Sequence, residues 1–285
     1  MTIAALGDLD RLAERHGAAV RVFFVSDSTG ISAETMGNAL LLQFPDLAFE
    51  RRLIPFVTTL EDARAVVREL DAAADAGPAV AFSTAAVDEV RHALQETRCP
   101  LIDFFDLHMQ RLEQILGAPG VRQAARLHGM GDAKRYNARM AAIEYTLEHD
   151  DGQSLRAIDK ADVVLLAPSR CGKTPTAMYL AMQHGLLVAN YPLLDEDLDD
   201  AELPRPVRGL RDRCFGIVTT PQRLAQVREQ RRPASRYASL PQCASELKRA
   251  SRLFTAHGIP VVDSSTRSVE EMSTLILQAR ARAER

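Results

Sequence analysis

The sequence has no tryptophan, and aromatic residues make up only 5% of it. A protein that held single-stranded nucleic acid by stacking would carry more aromatic platforms than that. There is no basic excess either: Lys and Arg total 35 against 38 Asp and Glu, a formal net charge of −3. Dedicated nucleic-acid binders and anionic-membrane binders show the opposite balance, so neither partner is expected. The four cysteines, Cys99, Cys171, Cys214 and Cys243, form no CxxC pair, which removes the usual zinc and thioredoxin-type spacings. Scattered thiols of this kind fit a reducing cytosol. Thr174–Leu194 contains no Asp, Glu, Lys or Arg, but Pro175, Gly185 and Pro192 interrupt it, and a membrane span would be taxed by all three. The opening MTIAALGDLDRLAERHG has an acid by position 8 and no basic head before an apolar run. It is not expected to be a signal peptide, and the expected location is cytoplasmic. Internal repeats and low-complexity segments are also missing.

What is present is an ordinary globular composition, 46% hydrophobic and 26% charged over 285 residues. At roughly 150 residues per domain this length suggests two domains, and a chain this long buries ~75% of its unfolded surface without disulfides or metals. Leu6–His16 reads as a short amphipathic helix stopped by Gly17. After it, apolar strands alternate with helical patterns. VRVFFVSD is followed by a helix over about Ser32–Phe44, RRLIPFV by Leu60–Ala73, AVAFS by Val87–Thr97, and PLIDFF by about Leu107–Leu116. A mostly helical stretch, Arg122–His149, leads to a hinge-like Asp150-Asp151-Gly152. A second set then runs from ADVVLLA through a helix to about Gln183, LLVANY, the acidic stretch from Asp195 to Glu202, which reads as a solvated loop, then FGIVTT, two polar helices, IPVVD and a last helix. The expected fold is therefore α/β: two α/β domains with mostly parallel sheets, 1–150 and 151–285, the second a P-loop kinase-like domain.

The most informative segment is Ala167-Pro168-Ser169-Arg170-Cys171-Gly172-Lys173-Thr174, after a strand and before a helix. That is the setting of a phosphate-binding loop. Backbone N–H groups of Arg170 to Thr174 can cradle phosphate oxygens, and the helix N-terminus adds partial positive charge. Lys173 would reach the β-phosphate and the Thr174 hydroxyl would take Mg²⁺. Ala167 stands where GxxxxGK[ST] begins with glycine, and Pro168 removes one N–H. Cys171 reads as a small loop-filling side chain, with a redox role as the alternative. Asp263, closing IPVVD, is either a metal-side carboxylate or a turn residue. Arg231, Arg232 and Arg236 either close over phosphates as a lid or sit on a solvated helix end.

Two further clusters stand out. Ser26-Asp27-Ser28-Thr29-Gly30 ends the first strand and precedes a helix, so Ser28, Thr29 and Gly30 form a candidate anion site. Asp27 is there a candidate base or metal ligand, with a helix cap as the equal alternative. Tyr136, Arg139, Glu144, His149, Asp150 and Asp151 suggest acid–base work between domains; a polar linker would look the same.

Taken together, the SDSTG start, DFF from Asp103, HDDG from His149, SRCGKTPT from Ser169, ANYPL from Ala189 and RRPASRYASLPQC from Arg231 resemble the pyruvate, phosphate/water dikinase regulatory proteins. The likeness runs from about residue 20 to the C-terminus, and SRCGKT and ANYP resemble the branch acting on phosphoenolpyruvate synthase. The chain departs from that family at Ala167-Pro168, where Gly-Val is usual. The resemblance implies a bifunctional enzyme. As a Ser/Thr kinase it would use ADP to phosphorylate and inactivate phosphoenolpyruvate synthase. As a phosphorylase it would use inorganic phosphate to remove that group, releasing pyrophosphate. It also implies a possible homodimer. Within this frame Lys173 and Thr174 hold the ADP β-phosphate and Mg²⁺, and Asp150 or Asp151 takes the threonine proton. The rival expectations are a small-metabolite P-loop kinase using ATP and a nucleotide-dependent binding switch.

Overall fold

The structure, a computed structural model, describes residues 19–122, 133–199 and 202–283. The helix expected over Leu6–His16 and the first part of the helical stretch expected after Arg122 lie outside those residues. The chain divides into two compact units, Met1–Gly129 and Met130–Arg285.

In the first unit the described elements are β1 (Val20–Val25), α1 (Ile31–Leu41), β2 (Phe49–Ile54), α2 (Leu60–Ala76), β3 (Ala79–Ser83), α3 (Asp88–Leu94), β4 (Leu101–Asp103) and α4 (Asp106–Leu116). The strands form one parallel sheet in the order β2-β1-β3-β4. Successive strand side chains point to opposite faces, and β1 shows it. Phe23 and Val25 pack with Val66 and Leu70 of α2 and Leu94 of α3, while Val22 and Phe24 pack with Ala33 and Leu41 of α1. Both faces are covered, which is why the buried run Val22–Val25 is apolar throughout. Thr59 fixes the start of α2 through a reciprocal capping box with Asp62.

The second unit contains α5 (Ala133–Glu148), short 3₁₀ turns at Asp150–Gly152 and Ile158–Lys160, β5 (Val163–Ala167), α6 (Lys173–His184), β6 (Val188–Pro192) and α7 (Asp195–Asp199). It continues with a 3₁₀ stretch at Arg208–Arg213, β7 (Cys214–Val218), α8 (Pro221–Arg231), a turn at Arg236–Ala238, α9 (Leu240–His257), β8 (Val261–Asp263) and α10 (Val269–Ala283). This sheet is also parallel, in the order β6-β5-β7-β8. Val163, Leu165 and Ala167 face one core and Val164 and Leu166 the other. The sequence reading put the helix before Asp150 with residues 1–150. Its described part, α5, goes with the second unit: Tyr145 packs into the β5–β6 core, and Thr146 accepts the N–H of Val188 at 3.3 Å.

The start of the acidic stretch, read as a solvated loop, is helical instead. Leu198 is buried, and Asp195 and Asp199 of α7 pair with Arg249 of α9. No described helix is long and apolar enough to cross a membrane.

The two strand orders follow one scheme, so each unit has a point where successive connections leave in opposite directions. It lies between β1 and β3 in the first unit and between β5 and β7 in the second. Ligands of open α/β sheets bind beyond the strand ends at such points. The loops Ser26–Gly30 and Pro168–Gly172 stand there, and each closes on a left-handed glycine that caps the next helix, Gly30 at φ 77° and Gly172 at φ 100°.

Candidate functional site

The loop after β5 has its carbonyls tied back and its N–H groups left over. Lys173 Nζ donates to Ala167 O at 3.2 Å and Pro168 O at 3.3 Å. The Arg228 guanidinium holds Ser169 O, Nη2 at 3.0 Å and Nε at 3.3 Å. Ser264 Oγ donates to Cys171 O at 2.9 Å, and Thr176 Oγ1 to Gly172 O at 2.9 Å. By contrast, none of the six N–H groups from Ser169 to Thr174 donates to a protein acceptor among the described residues. Unpaired donors grouped at a helix N-terminus are an anion-binding surface. Gly172 makes the turn possible, because φ 100° is closed to most L side chains.

Beside the loop lies a carboxylate pair. Thr174 Oγ1 donates to Asp150 Oδ1 at 2.8 Å, and Asn190 Nδ2, from β6, donates to both Asp150 Oδ1 and Thr174 Oγ1. Asn190 is almost fully buried, yet its Oδ1 has no donor. Asp151 takes a left-handed conformation at φ 51° and its carboxylate stands 3.7 Å from Lys173 Nζ. Its side chain is 52% exposed while that of Lys173 is 3% exposed, so one member of the pair faces solvent and the other is sealed in. Burial holds the Lys173 ammonium below the ordinary lysine value, and Asp151 opposes that shift.

His149, read as a partner in acid–base work, is committed elsewhere. It is buried, its two ring nitrogens face the carbonyls of Tyr145 at 2.8 Å and Arg156 at 2.7 Å, and its ring stacks on Tyr145. Neither nitrogen is left for a substrate. The histidine instead fixes the turn carrying Asp150 and Asp151, and its own carbonyl accepts the N–H of Asn190 at 3.0 Å. Tyr136 and Glu144 lie exposed on α5 and make no hydrogen bond to the pair.

The basic segment splits into a buried and an exposed part. Arg231, Arg232 and Arg236 are exposed, with Arg232 lying over the Tyr237 ring. Arg228, one helical turn before Arg231, is fully buried; it pairs with both carboxylate oxygens of Glu246 at 3.1 and 2.7 Å and stacks on Tyr237. Tyr237 in turn donates its hydroxyl to Ser169 Oγ at 3.0 Å. Asp263 caps its own turn through Ser265 N, so the contact from that strand end to the loop is made by Ser264. Cys171 is buried, and burial pushes its thiol up to about 12, which removes the thiolate a redox role needs.

In the first unit Asp27 is buried and its Oδ2 accepts the N–H groups of Ala86 at 2.6 Å and Val87 at 3.2 Å. That carboxylate caps the entry to α3 from across the sheet. Ser26 Oγ receives Ser28 N and Thr84 Oγ1, both at 3.1 Å, while Ser28 and Thr29 are half-buried on the loop leading to Gly30.

Asn190, Arg228, Tyr237 and Ser264 were not singled out from the sequence. For Asn190 a signal existed: an amide in the middle of an otherwise apolar strand. Among the described residues no group of three or more His, Cys, Asp or Glu is placed to hold a metal.

A model of the family described as Kinase/pyrophosphorylase matches residues 22–277. A curated protein of Neisseria meningitidis serogroup B (strain ATCC BAA-335 / MC58), described as "Putative phosphoenolpyruvate synthase regulatory protein", is 43% identical over 260 residues, covering 90% of this chain and 95% of its own. Proteins of the same description from Halorhodospira halophila and Acinetobacter baylyi are 44% and 40% identical over 264 and 259 residues, or 92% and 90% of this chain and 96% and 93% of theirs.

Proposed function

The chain belongs to the Kinase/pyrophosphorylase family, and from that premise we propose that it is a cytoplasmic regulator of phosphoenolpyruvate synthase with two opposed activities. One is an ADP-dependent phosphorylation of a threonine on the synthase. The other is a phosphate-dependent removal of that group as pyrophosphate. The observation that carries the reading is the loop Ser169–Thr174, whose N–H groups are free while its carbonyls are held back. It is built to receive phosphate oxygens, and both reactions need that of it.

In the forward direction the threonine oxygen attacks the β-phosphorus of ADP, the bond to the α–β bridging oxygen breaks, and AMP leaves. Asp151 takes the threonine proton; it is the exposed carboxylate of the pair and is not engaged by Thr174 and Asn190. In the reverse direction an oxygen of inorganic phosphate attacks the phosphothreonine, the threonine oxygen leaves with a proton from Asp151, and pyrophosphate departs. Lys173 and the loop N–H groups stabilise the charge of the transferring group in both directions. Because the attacking and leaving oxygens change places, one constellation serves both.

Mg²⁺ fits the residues present. The Thr174 hydroxyl and the Asp150 carboxylate, joined to each other beside the loop, are hard oxygen ligands of the kind it takes, with water and phosphate completing its shell. Bound there, the ion would neutralise phosphoryl charge.

The test is to incubate the protein with phosphoenolpyruvate synthase and β-labelled ADP, then follow label on threonine and release of AMP. Labelled synthase with AMP is expected, as is conversion of the label to pyrophosphate once phosphate is added. Turnover of ATP on a small acceptor, with no label on the synthase, would overturn the reading in favour of a metabolite kinase.

A further inference from the structure

Arg170, in the middle of the phosphate loop, is a non-glycine residue at φ 74°. An L side chain holds that conformation only where its surroundings over-determine it. The peptide groups on either side show what does so. Ser169 O, before it, is gripped by the Arg228 guanidinium from α8; Cys171 O, after it, is gripped by Ser264 Oγ from the end of β8. Two elements distant in sequence thus clamp the loop on both sides of its strained residue.

The Arg228 clamp is itself rigid. Its guanidinium makes a two-pronged pair with Glu246, donates to Tyr237 O at 3.0 Å and lies 4.1 Å from the centre of the Tyr237 ring. Gln242 Nε2 adds a donor to Glu246 Oε1 at 3.0 Å, and the Tyr237 hydroxyl returns to the loop at Ser169 Oγ. Planar Arg–carboxylate forks of this kind fix direction as well as distance. The loop's entry adds little hold of its own, since Pro168 offers no N–H.

We propose that Arg228, supported by Glu246 and Tyr237 and matched by Ser264, is a positioning residue that holds the phosphate loop in its anion-accepting form before any ligand arrives. The inference rests on the reading of this loop as the phosphate site. Without the clamp, Ser169 O turns inward and the loop must be reordered on binding. The loss then falls on ligand affinity, while the phosphoryl-transfer step, once the site is filled, keeps its rate.

Removing Arg228 alone would strand a buried carboxylate, so the test variant is the double replacement Arg228→Met with Glu246→Met, which exchanges the pair for apolar side chains. A second variant, Tyr237→Phe, deletes only the hydroxyl on Ser169. Dissociation constants for ADP and inorganic phosphate are measured by calorimetry, and KM and kcat with the synthase as acceptor. The double variant is expected to bind both ligands at least about tenfold more weakly and to raise the KM for ADP in step, with kcat at saturation within about twofold of wild type. Tyr237→Phe is expected to weaken binding about threefold with only the small drop in melting temperature that loss of one hydrogen bond brings. Wild-type affinity in a folded double variant overturns the inference. If that variant does not fold, wild-type affinity in Tyr237→Phe overturns it instead. Wild-type protein that binds neither ADP nor phosphate would sink the phosphate reading itself, a different outcome from either.

Discussion

Thr174 and Asp150 are joined by a hydrogen bond of 2.8 Å from the threonine hydroxyl to Oδ1. The first turn of α6 is thereby tied to the turn that follows α5. Asp150 also takes the Asn190 amide, so it is held by two donors, while its neighbour Asp151 stands exposed against Lys173. Two adjacent carboxylates in such different settings should fail differently. Asp151→Asn is expected to lower kcat of both reactions by about 10²–10⁴, the usual worth of a general base, with ADP affinity kept. Asp150→Asn should instead raise the requirement for Mg²⁺ and ADP about tenfold or more. Calorimetric titration beside initial rates separates the two. A doubly substituted Asp150→Asn, Asp151→Asn protein with full kinase rate would end the assignment.

Lys173 reaches across its own loop to two carbonyls and one carboxylate, and its charge is sealed from water. Lys173→Ala should cost both activities about a hundredfold or more, as loss of a preorganised charge stabiliser does. Phosphorolysis at its normal rate beside a dead kinase would mean that the two reactions use separate loops.

The sheets and the loop were legible because burial on both faces and a GKT between strand and helix are local facts of sequence. VRVFFV and ADVVLLA could be little else. Arg228 was not legible: in REQRR it looks like any solvated helix arginine, and its burial depends on Glu246, in the next helix, and on Ser169, far earlier in the chain. Asp27 was undecidable for the same reason, since the N–H groups it caps belong to Ala86 and Val87. His149 beside two acids suggested catalysis because sequence shows proximity and not which atoms are already engaged. Asp195 and Asp199 suggested a loop because their partner, Arg249, lies in α9.

Two glycines of the second unit should separate binding from stability. At Gly172 a Cβ would meet only Met272 Cε at 3.7 Å and Ser264 Cβ at 3.8 Å, so the obstacle is the φ of 100° and not space. Gly172→Ala is expected to cost about 1–3 kcal/mol of backbone strain and to distort the loop, weakening ADP binding most. At Gly216 of β7 a Cβ would stand 2.6 Å from the Phe254 ring. Gly216→Ala should lower the melting temperature through overpacking of about 1–3 kcal/mol, with ADP affinity close to normal in the folded fraction. Equal losses of affinity in the two would contradict the division of labour.

All four thiols are free and buried, and burial pushes Cys99 up to about 11 and Cys171 and Cys214 up to about 12. In the native protein no thiol should react with an aromatic disulfide reagent at pH 8, and all four should react after unfolding in urea. The same shifts set a pH dependence. An unfolded thiol ionises near 9.0, whereas these stay protonated in the fold until about 11 to 12. Between those values the unfolded chain binds fewer protons, so stability falls as pH rises through that window, and below it these groups add no slope. Melting temperatures taken from pH 7 upward should therefore turn down above pH 9. Cys214→Ala should turn down less steeply, because one of the shifted groups is gone. Rapid labelling of Cys171 in the native chain would show that the loop after β5 opens, and would count against the clamped, preorganised form argued from Arg228 and Ser264.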